Sequence, residues 1–369
     1  MRIVYVSESI IPSCYANSVH VMKMSQAFAD LGHEVVLLAI DGRGQRGAPQ
    51  DIHAYYGVRA NFGLRLLPYP PYKGGALAYA LRCGRTAARL APELIYGRTL
   101  RSLFFATLGG RRCVFETHRP LASFDRLTAA MFRHMERRRL FRYLVVISEA
   151  LRGLLAAQSR VRPIVVAHDA VDPPANVPPA AGGGGVFKAG YFGHFYPGRG
   201  IGLVVELARR LPEVEFHLVG GREADLAGWL AQGLPANVRL HGFVPPAEVA
   251  PLQRACHALL MPYERQVSIR GEGDTSRWMS PLKMFEYMAS GVPIVSSDLP
   301  VLREVLRPGE NALLAAPDDA AAWEAALRRL MAEPALGRRL AQEARREVAA
   351  NHTWPQRARR VLAPLEEGR

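Results

Sequence analysis

Residues Ser280 to Asp298 read SPLKMFEYMASGVPIVSSD, a helix running into a buried strand, and that succession is the unit from which a parallel α/β fold is built. Ser280 suits an N-cap and Pro281 the first helical position, where a missing N–H costs nothing. Leu282, Phe285 and Ala289 recur at helical spacing and are expected to face the core, with Glu286 inside the same stripe. A carboxylate there needs a partner. Lys283 stands in the first turn, whose exposed N–H groups already make that end electropositive. An anion docked at the helix end would reconcile the two residues. The alternative is that Lys283 extends to solvent and Glu286 meets an arginine elsewhere in the fold.

The same alternation extends upstream. KAGYFGH (188–194), VEFHLVGG (214–221), VRLHGFV (238–244), ALLMPY (258–263) and VPIVSS (292–297) read as strands, with helices at IGLVVELARRL (201–211) and through Leu252. The first half repeats the layout. RIVYVSE (2–8) is a strand, VHVMKMSQAFADLG (19–32) a helix stopped by Gly32, and HEVVLLAI (33–40) the next strand, with later strands at 94–97, 113–117, 143–148 and 163–168. Between the halves, DPPANVPPAAGGGG (172–185) suits neither helix nor strand. The expected architecture is therefore α/β: two doubly wound parallel-sheet domains in series, 1–172 and 186–350, joined by a linker at 173–185, with a ligand in the cleft between them and a closing helix in 351–369.

No run approaches the 18 or so apolar residues that cross a bilayer, and Met1 leads straight into a strand, so a cytoplasmic protein is expected. Cys14, Cys83, Cys113 and Cys256 are scattered, which argues against a zinc site or a disulfide framework. The net charge of +14 is unevenly divided, +12 over 1–172 and +2 over 173–369. That asymmetry suggests a polyanionic partner for the first domain, nucleic acid or an anionic membrane surface. Phe124 to Tyr143 concentrates it: Leu127, Met131 and Met135 fall on one helical line beside Arg133, Arg137, Arg138, Arg139 and Arg142, either a membrane-surface helix or the solvated face of a core-packed one. No nucleic-acid module accompanies the charge, and no nucleic-acid partner is expected.

Several chemistries are excluded by what the turns lack. Neither β-α turn at the head of a domain is G-x-G-x-x-G, the first reading SESIIPSCYANS, and no G-x-x-x-x-G-K-[ST] or G-x-S-x-G occurs, which argues against the dinucleotide clamp, the P-loop and the nucleophile elbow. GHFYPGRG (Gly193–Gly200), with His194 and Arg199, joins strand to helix as a plausible diphosphate cradle. Gly220 and Phe243 stand at two further strand ends. Glu272 and Asp274 resemble a metal-binding pair but have no evident third ligand, and no metal is expected. His118 lies just beyond a strand, either structural or in the cleft.

Taken together, SPLKMFEYMASGVPIVSSDLPVLREV, GHFYPGRG, HGFVPPAEVAPLQRACHALLMPY, ISEALRGLL and HTWPQRARRVL resemble the retaining, nucleotide-sugar-dependent glycosyltransferases of family 4, which have the GT-B fold. The resemblance implies that Glu286 holds the donor ribose, that backbone N–H groups around Ser280, Pro281, Leu282 and Lys283 face the diphosphate, and that Gly193, His194, Arg199, Gly220 and Phe243 line the donor site. It implies that Arg199 and Lys283 stabilise the leaving group and that His118 contacts the sugar near the reacting carbon. It also implies a closing helix that returns to the first domain. Trp278 stands where the family's Glu-x7-Glu motif has its first Glu, so either Glu272 or Asp274 reaches the sugar from the preceding loop or the donor is held without that carboxylate. The implied reaction takes sugar from a UDP- or GDP-sugar to a hydroxyl of a lipid-linked or oligosaccharide acceptor in bacterial surface glycan synthesis, without cofactor or metal, at the inner face of the plasma membrane. The alternatives are a nucleotide-sugar 2-epimerase or phosphorylase of the same fold, or a non-catalytic transferase-like partner subunit.

Overall fold

The computed structural model describes residues 1–44, 48–172, 185–221, 223–269 and 273–366. Glu272 and residues 173–184 of the expected linker lie outside the described residues. The chain forms two compact units: unit 1 is Met1–His168 with Trp354–Arg369, and unit 2 is Asp169–Thr353.

Unit 1 holds β1 (Arg2–Ile11), β2 (Glu34–Asp41), β3 (Gly63–Leu67), β4 (Leu94–Gly97), β5 (Arg112–Thr117), β6 (Phe141–Val146) and β7 (Ile164–Val166). They pair in the order β3-β2-β1-β4-β5-β6-β7, every pairing parallel. Its helices are α1 (Ala16–Asp30), α2 (Ile52–Tyr56), α3 (Gly75–Arg89), α4 (Leu100–Thr107), α5 (Arg126–Met135) and α6 (Glu149–Gln158), with α13 (Trp354–Glu366) from the far end of the chain. Ile3 to Val6 have no exposed surface, as a central parallel strand covered on both faces requires. Tyr5, Phe28 and Tyr96 meet edge to face at centroid distances of 4.9 to 6.5 Å. Helix α1 ends as its sequence demands: Gly32 takes φ +82° and donates to the Ala29 carbonyl at 2.9 Å, while His33 N–H reaches Phe28 O at 3.4 Å, closing the last turn.

Unit 2 holds β8 (Phe187–Phe192), β9 (Val214–Val219), β10 (Val238–Gly242), β11 (Ala258–Met261), a short hairpin of β12 (Ser268–Ile269) and β13 (Gly273–Asp274), then β14 (Ile294–Ser297) and β15 (Leu313–Ala315). The main sheet runs β10-β9-β8-β11-β14-β15, again parallel throughout. The helices are α7 (Ile201–Arg210), α8 (Glu223–Ala231), α9 (Pro246–Arg254), α10 (Leu282–Ser290), α11 (Ala320–Ala332) and α12 (Pro334–Asn351). Ile201, Val204, Leu207 and Ala208 of α7 pack with Trp323 and Leu327 of α11 on one face of the sheet.

Two local expectations are corrected, and a choice left open by the sequence is decided. Ser280 does not cap α10; the N-cap is Pro281, and the buried Ser280 hydroxyl instead accepts the Asp169 N–H at 2.9 Å. The core stripe of α10 is Met284, Phe285, Tyr287 and Met288, while Leu282, Glu286 and Ala289 share the half-buried side with Lys283. The apolar line of α5 is not available to a bilayer, because Met131 and Met135 are buried with Phe132 in the core and only Leu127 remains exposed. Arg133, Arg137 and Arg139 are exposed and Arg138 and Arg142 half-buried, so the cluster is a charged face spread over a core-packed helix, the turn after it and the start of β6.

Candidate functional site

In unit 2 the strand order reverses between β8 and β11, and open parallel sheets bind ligands outside the strand ends at that point. Gly193 leaves β8 at φ +147°, and a Cβ there would stand 2.5 Å from Lys283 Nζ. Gly220, at φ +113°, presses so closely on the Gly193 carbonyl that no side chain fits. The two glycines let backbone occupy the strand ends and leave room for the ammonium.

Lys283 is the second residue of α10, in the first turn, where the N–H groups have no partner within the helix. Its Nζ lies 4.0 Å from the centre of the Tyr191 ring and 5.5 Å from that of Tyr263, over which Arg199 Cζ stands at 5.1 Å. Lys283 Nζ and Arg199 Nε are both buried, and among the described residues neither has a hydrogen-bond partner. Burial, and then the Arg199 guanidinium, pushes the Lys283 ammonium well below its ordinary value, with Glu286 acting the other way. Each buried donor left without an acceptor costs on the order of 1–3 kcal/mol, more when it is charged. A bound anion supplies both the acceptor and the counter-charge.

The other expected residues fall around this pair in different ways. The His194 ring stacks on Tyr196 at 4.8 Å and its carbonyl accepts from the Tyr191 hydroxyl at 2.6 Å. Phe243, just past β10, is 53% exposed. Asp274 accepts from the Val267 and Ser276 N–H groups at 2.9 Å each; burial raises its carboxyl, but these bonds outweigh that and hold it below the ordinary value, so it shapes its own hairpin. Tyr191 and Tyr263, the rings beneath the two cations, were not foreseen, since an aromatic in a buried strand gives no sign of what crosses its face.

In unit 1, His118 follows β5 with Nε2 2.5 Å from Glu116 Oε1 and Nδ1 3.0 Å from Arg98 Nη2. A guanidinium only donates, so Nδ1 accepts and Nε2 carries the proton given to Glu116. Burial, then Arg98, drives His118 down to about 4, against the pull of Glu116. Glu116 has no exposed surface; it also meets Arg357 Nη2 at 2.9 Å, His20 Nε2 at 3.0 Å and the Tyr96 hydroxyl. Burial alone would raise the Glu116 carboxyl, but Arg357, with His20 and His118, holds it well below the carboxylate range. His20, Glu116 and His118 bring three potential metal-ligand atoms together. The donor set does not fit a metal, because Arg357 already donates to both Glu116 oxygens and His118 Nε2 carries a proton. Glu8, within β1, is a second perturbed carboxyl: burial pushes it up to about 7 against Arg101, Ser102 and Arg119, and Ser102 Oγ donates to it at 3.4 Å.

Among solved structures, the sucrose-phosphate synthase of Thermosynechococcus elongatus is similar at a TM-score of 0.76 and 17% identity, over 99% of this chain and 98% of that one. Anabaena Alr3699/HepE, solved in complex with UDP, gives 0.76 and 17% over the full length of both chains. At such identity the likeness shows the fold alone, and the fold is GT-B. The model described as Glycosyltransferase Family 4 matches residues 18–175, and that described as Glycosyl transferase-like matches residues 201–363. Between them they take in most of both units, and the chain belongs to the family 4 type of glycosyltransferases. The O-antigen biosynthesis protein RfbC of Myxococcus xanthus is 33% identical over 192 residues, 51% of this chain, a match that spans 14% of that relative's length.

Proposed function

We propose that the protein transfers a sugar from a UDP- or GDP-sugar to a hydroxyl of a lipid-linked or oligosaccharide acceptor in bacterial surface glycan synthesis, with retention at the anomeric carbon. The observation that carries this reading is the pair of buried, unpartnered cationic donors, Lys283 Nζ and Arg199 Nε, at the strand-order reversal of unit 2. A diphosphate is the anion that such a pair and a helix N-terminus suit. In the reaction the bond from the anomeric carbon to the diphosphate breaks, the bond to the acceptor oxygen forms on the same face, and the acceptor proton passes to the departing phosphate. Negative charge grows on the diphosphate as that happens, and Arg199, Lys283 and the first N–H groups of α10 meet it in the role a divalent metal fills elsewhere. Glu286 would accept from the ribose hydroxyls, His118 would contact the sugar, and Phe243, Gly193 and Gly220 would line the donor. The UDP bound to Alr3699/HepE supports a uridine donor, and the O-antigen role of RfbC supports a surface glycan.

The decisive measurement is thermal unfolding against UDP, GDP, ADP, NAD and their sugar conjugates. A ligand at about 100 times its Kd adds about 2.7 kcal/mol to stability. A shift with one uridine or guanosine diphosphate and its sugar, followed by turnover onto a hydroxyl acceptor, is expected; no shift with any nucleotide sinks the reading. Among the described residues no helix is long and apolar enough to cross a membrane. The excess positive charge of residues 1–172 would hold the protein to anionic lipid through guanidinium contacts alone. Reversing Arg137, Arg138 and Arg139 to Glu should therefore abolish salt-sensitive binding to phosphatidylserine liposomes, and unchanged binding would dismiss the membrane contact.

A further inference from the structure

Unit 1 reverses its strand order between β1 and β4, and Arg98 is the first residue beyond β4. Its guanidinium donates through Nη2 to His118 Nδ1 at 3.0 Å and through Nη1 to the Asn17 carbonyl at 3.4 Å. Its other N–H groups have no acceptor among the described residues. The Glu8 N–H donates to Thr99 Oγ1 at 3.1 Å, tying β1 to the residue beside Arg98. A half-buried guanidinium with donors to spare, at the reversal of an open parallel sheet, is placed to hold a ligand oxygen.

What aims that guanidinium is a buried sequence of charges. Arg357, on α13 and 1% exposed, has its plane fixed by donating through Nε to His168 O at 2.9 Å and through Nη2 to Ala167 O at 3.1 Å. The same fork grips Glu116 at 2.9 and 3.3 Å and keeps it ionised in the core. An ionised Glu116 can only accept, so His118 donates through Nε2 and turns the lone pair of Nδ1 toward Arg98. Were Glu116 neutral and donating, the imidazole would carry its proton on Nδ1, N–H against N–H, and Arg98 would lose its anchor.

We propose that Arg98 is a ligand-binding residue of unit 1, holding an oxygen of the sugar substrate, and that Arg357 is its positioning residue, acting through Glu116 and His118. The identity of the ligand rests on the transferase reading; the positioning does not. The test for positioning is nitrogen NMR of [15N]histidine-labelled protein, with His118 signals assigned by their loss in His118→Gln. Wild type should show an unprotonated Nδ1 that does not titrate between about pH 5 and 8. A protonated Nδ1 in wild-type protein overturns the proposal outright. In Arg357→Met the His118 signals should begin to titrate inside that window, whereas Arg357→Lys, which keeps the charge, should retain the tautomer. Folded Arg357→Met with unchanged His118 signals overturns the positioning role. With whichever of UDP- or GDP-glucose, -galactose or -mannose the protein turns over, Arg98→Gln should lower kcat/KM by on the order of 100-fold. Turnover of Arg98→Gln within about twofold of wild type, beside an impaired His118→Gln, overturns the ligand role. His118→Gln at wild-type turnover would defeat the transferase reading of unit 1 and the ligand role of Arg98 with it, and would leave the tautomer result standing.

Discussion

Replacing Lys283 by methionine removes one charge while keeping an unbranched side chain of similar reach, and the structure gives the two resulting effects opposite signs. In the free protein the buried ammonium has no acceptor among the described residues, a penalty of several kcal/mol for a buried ion. Its place over the Tyr191 ring, 4.0 Å from the centroid, returns about 2 kcal/mol. The balance, on the order of 1–3 kcal/mol against the folded state, disappears with the charge. Unit 2 spans Asp169–Thr353, a size at which 1 kcal/mol moves Tm by about 2–4 °C, so Lys283→Met should raise the melting temperature by roughly 2–12 °C. Nucleotide binding should move the other way. A hydrogen bond from a charged donor contributes about 1.5–3 kcal/mol, so Kd for UDP or GDP should weaken by about 10- to 150-fold. The pH dependence follows from the depressed Lys283 ammonium. Between its folded and unfolded values the unfolded chain holds more protons, so wild-type stability rises with pH across that interval. A bound diphosphate lifts the ammonium again, so binding takes up a proton and affinity falls as pH rises. Scanning fluorimetry gives the first sign, and titration calorimetry in two buffers of different ionisation enthalpy gives the others. A variant with a lowered Tm and an unchanged Kd would show Lys283 to be a structural cation and refute the anion site.

Three further outcomes are expected. Glu286→Ala should weaken UDP or GDP by about 5- to 30-fold for the loss of an acceptor to a ribose hydroxyl, and wild-type affinity by calorimetry would remove that role. The Glu8 carboxyl, at about 7 in the fold against an ordinary 4.5, costs stability as pH rises between those values. Glu8→Gln should therefore raise Tm at about pH 8 by the equivalent of about 2–3 kcal/mol and leave it nearly unchanged at about pH 4.5. His118 has the opposite slope: held at about 4 against 6.5, it contributes stability at neutral pH that is lost as pH falls from 6.5 to 4. His118→Gln should flatten that acid limb by up to about 3 kcal/mol. An acid limb identical to that of wild type would refute the assignment, and because the two slopes oppose each other, each is read as a difference from wild type.

Much of this was legible in the sequence where residues announce burial on both faces. The runs LIYG at Leu94–Gly97 and VPIV leading into Ile294–Ser297 are largely apolar, and each forms an interior strand buried along its whole length. The edge strands are less clear for the same reason: Gly63–Leu67 is half open to solvent and reads as loop, and Leu313–Ala315 is too short to carry a period. The tension between Lys283 and Glu286 was visible because neither residue suits its helical position. Glu286 nonetheless lies beside the core stripe rather than within it, a rotation that three apolar residues could not fix against four. The Ser280 hydroxyl was misassigned because capping is a local rule and its partner, Asp169, is 111 residues away in sequence. Arg357 left the same kind of mark as Glu286, a cation between Trp354, Ala358 and Val361 on the buried stripe of α13. No periodicity could say that Glu116 is the group it meets.

That meeting sets the order in which the molecule can be finished. Unit 1 begins at the first residue, yet the counter-ion of its most deeply buried carboxylate is encoded on the far side of unit 2. At synthesis rates of about 5–20 residues per second, roughly 10–40 s separate the emergence of the seventh strand from that of Arg357. Throughout that interval the nascent first sheet carries Glu116 without its guanidinium. The carboxylate must stay hydrated or take up a proton, and the strands around it remain open to water, to chaperones and to proteases. A chain stopped after unit 2 would carry every strand of unit 1 and still lack the group that lets them close. Helix α13 is therefore the element whose arrival lets the first sheet close around Glu116.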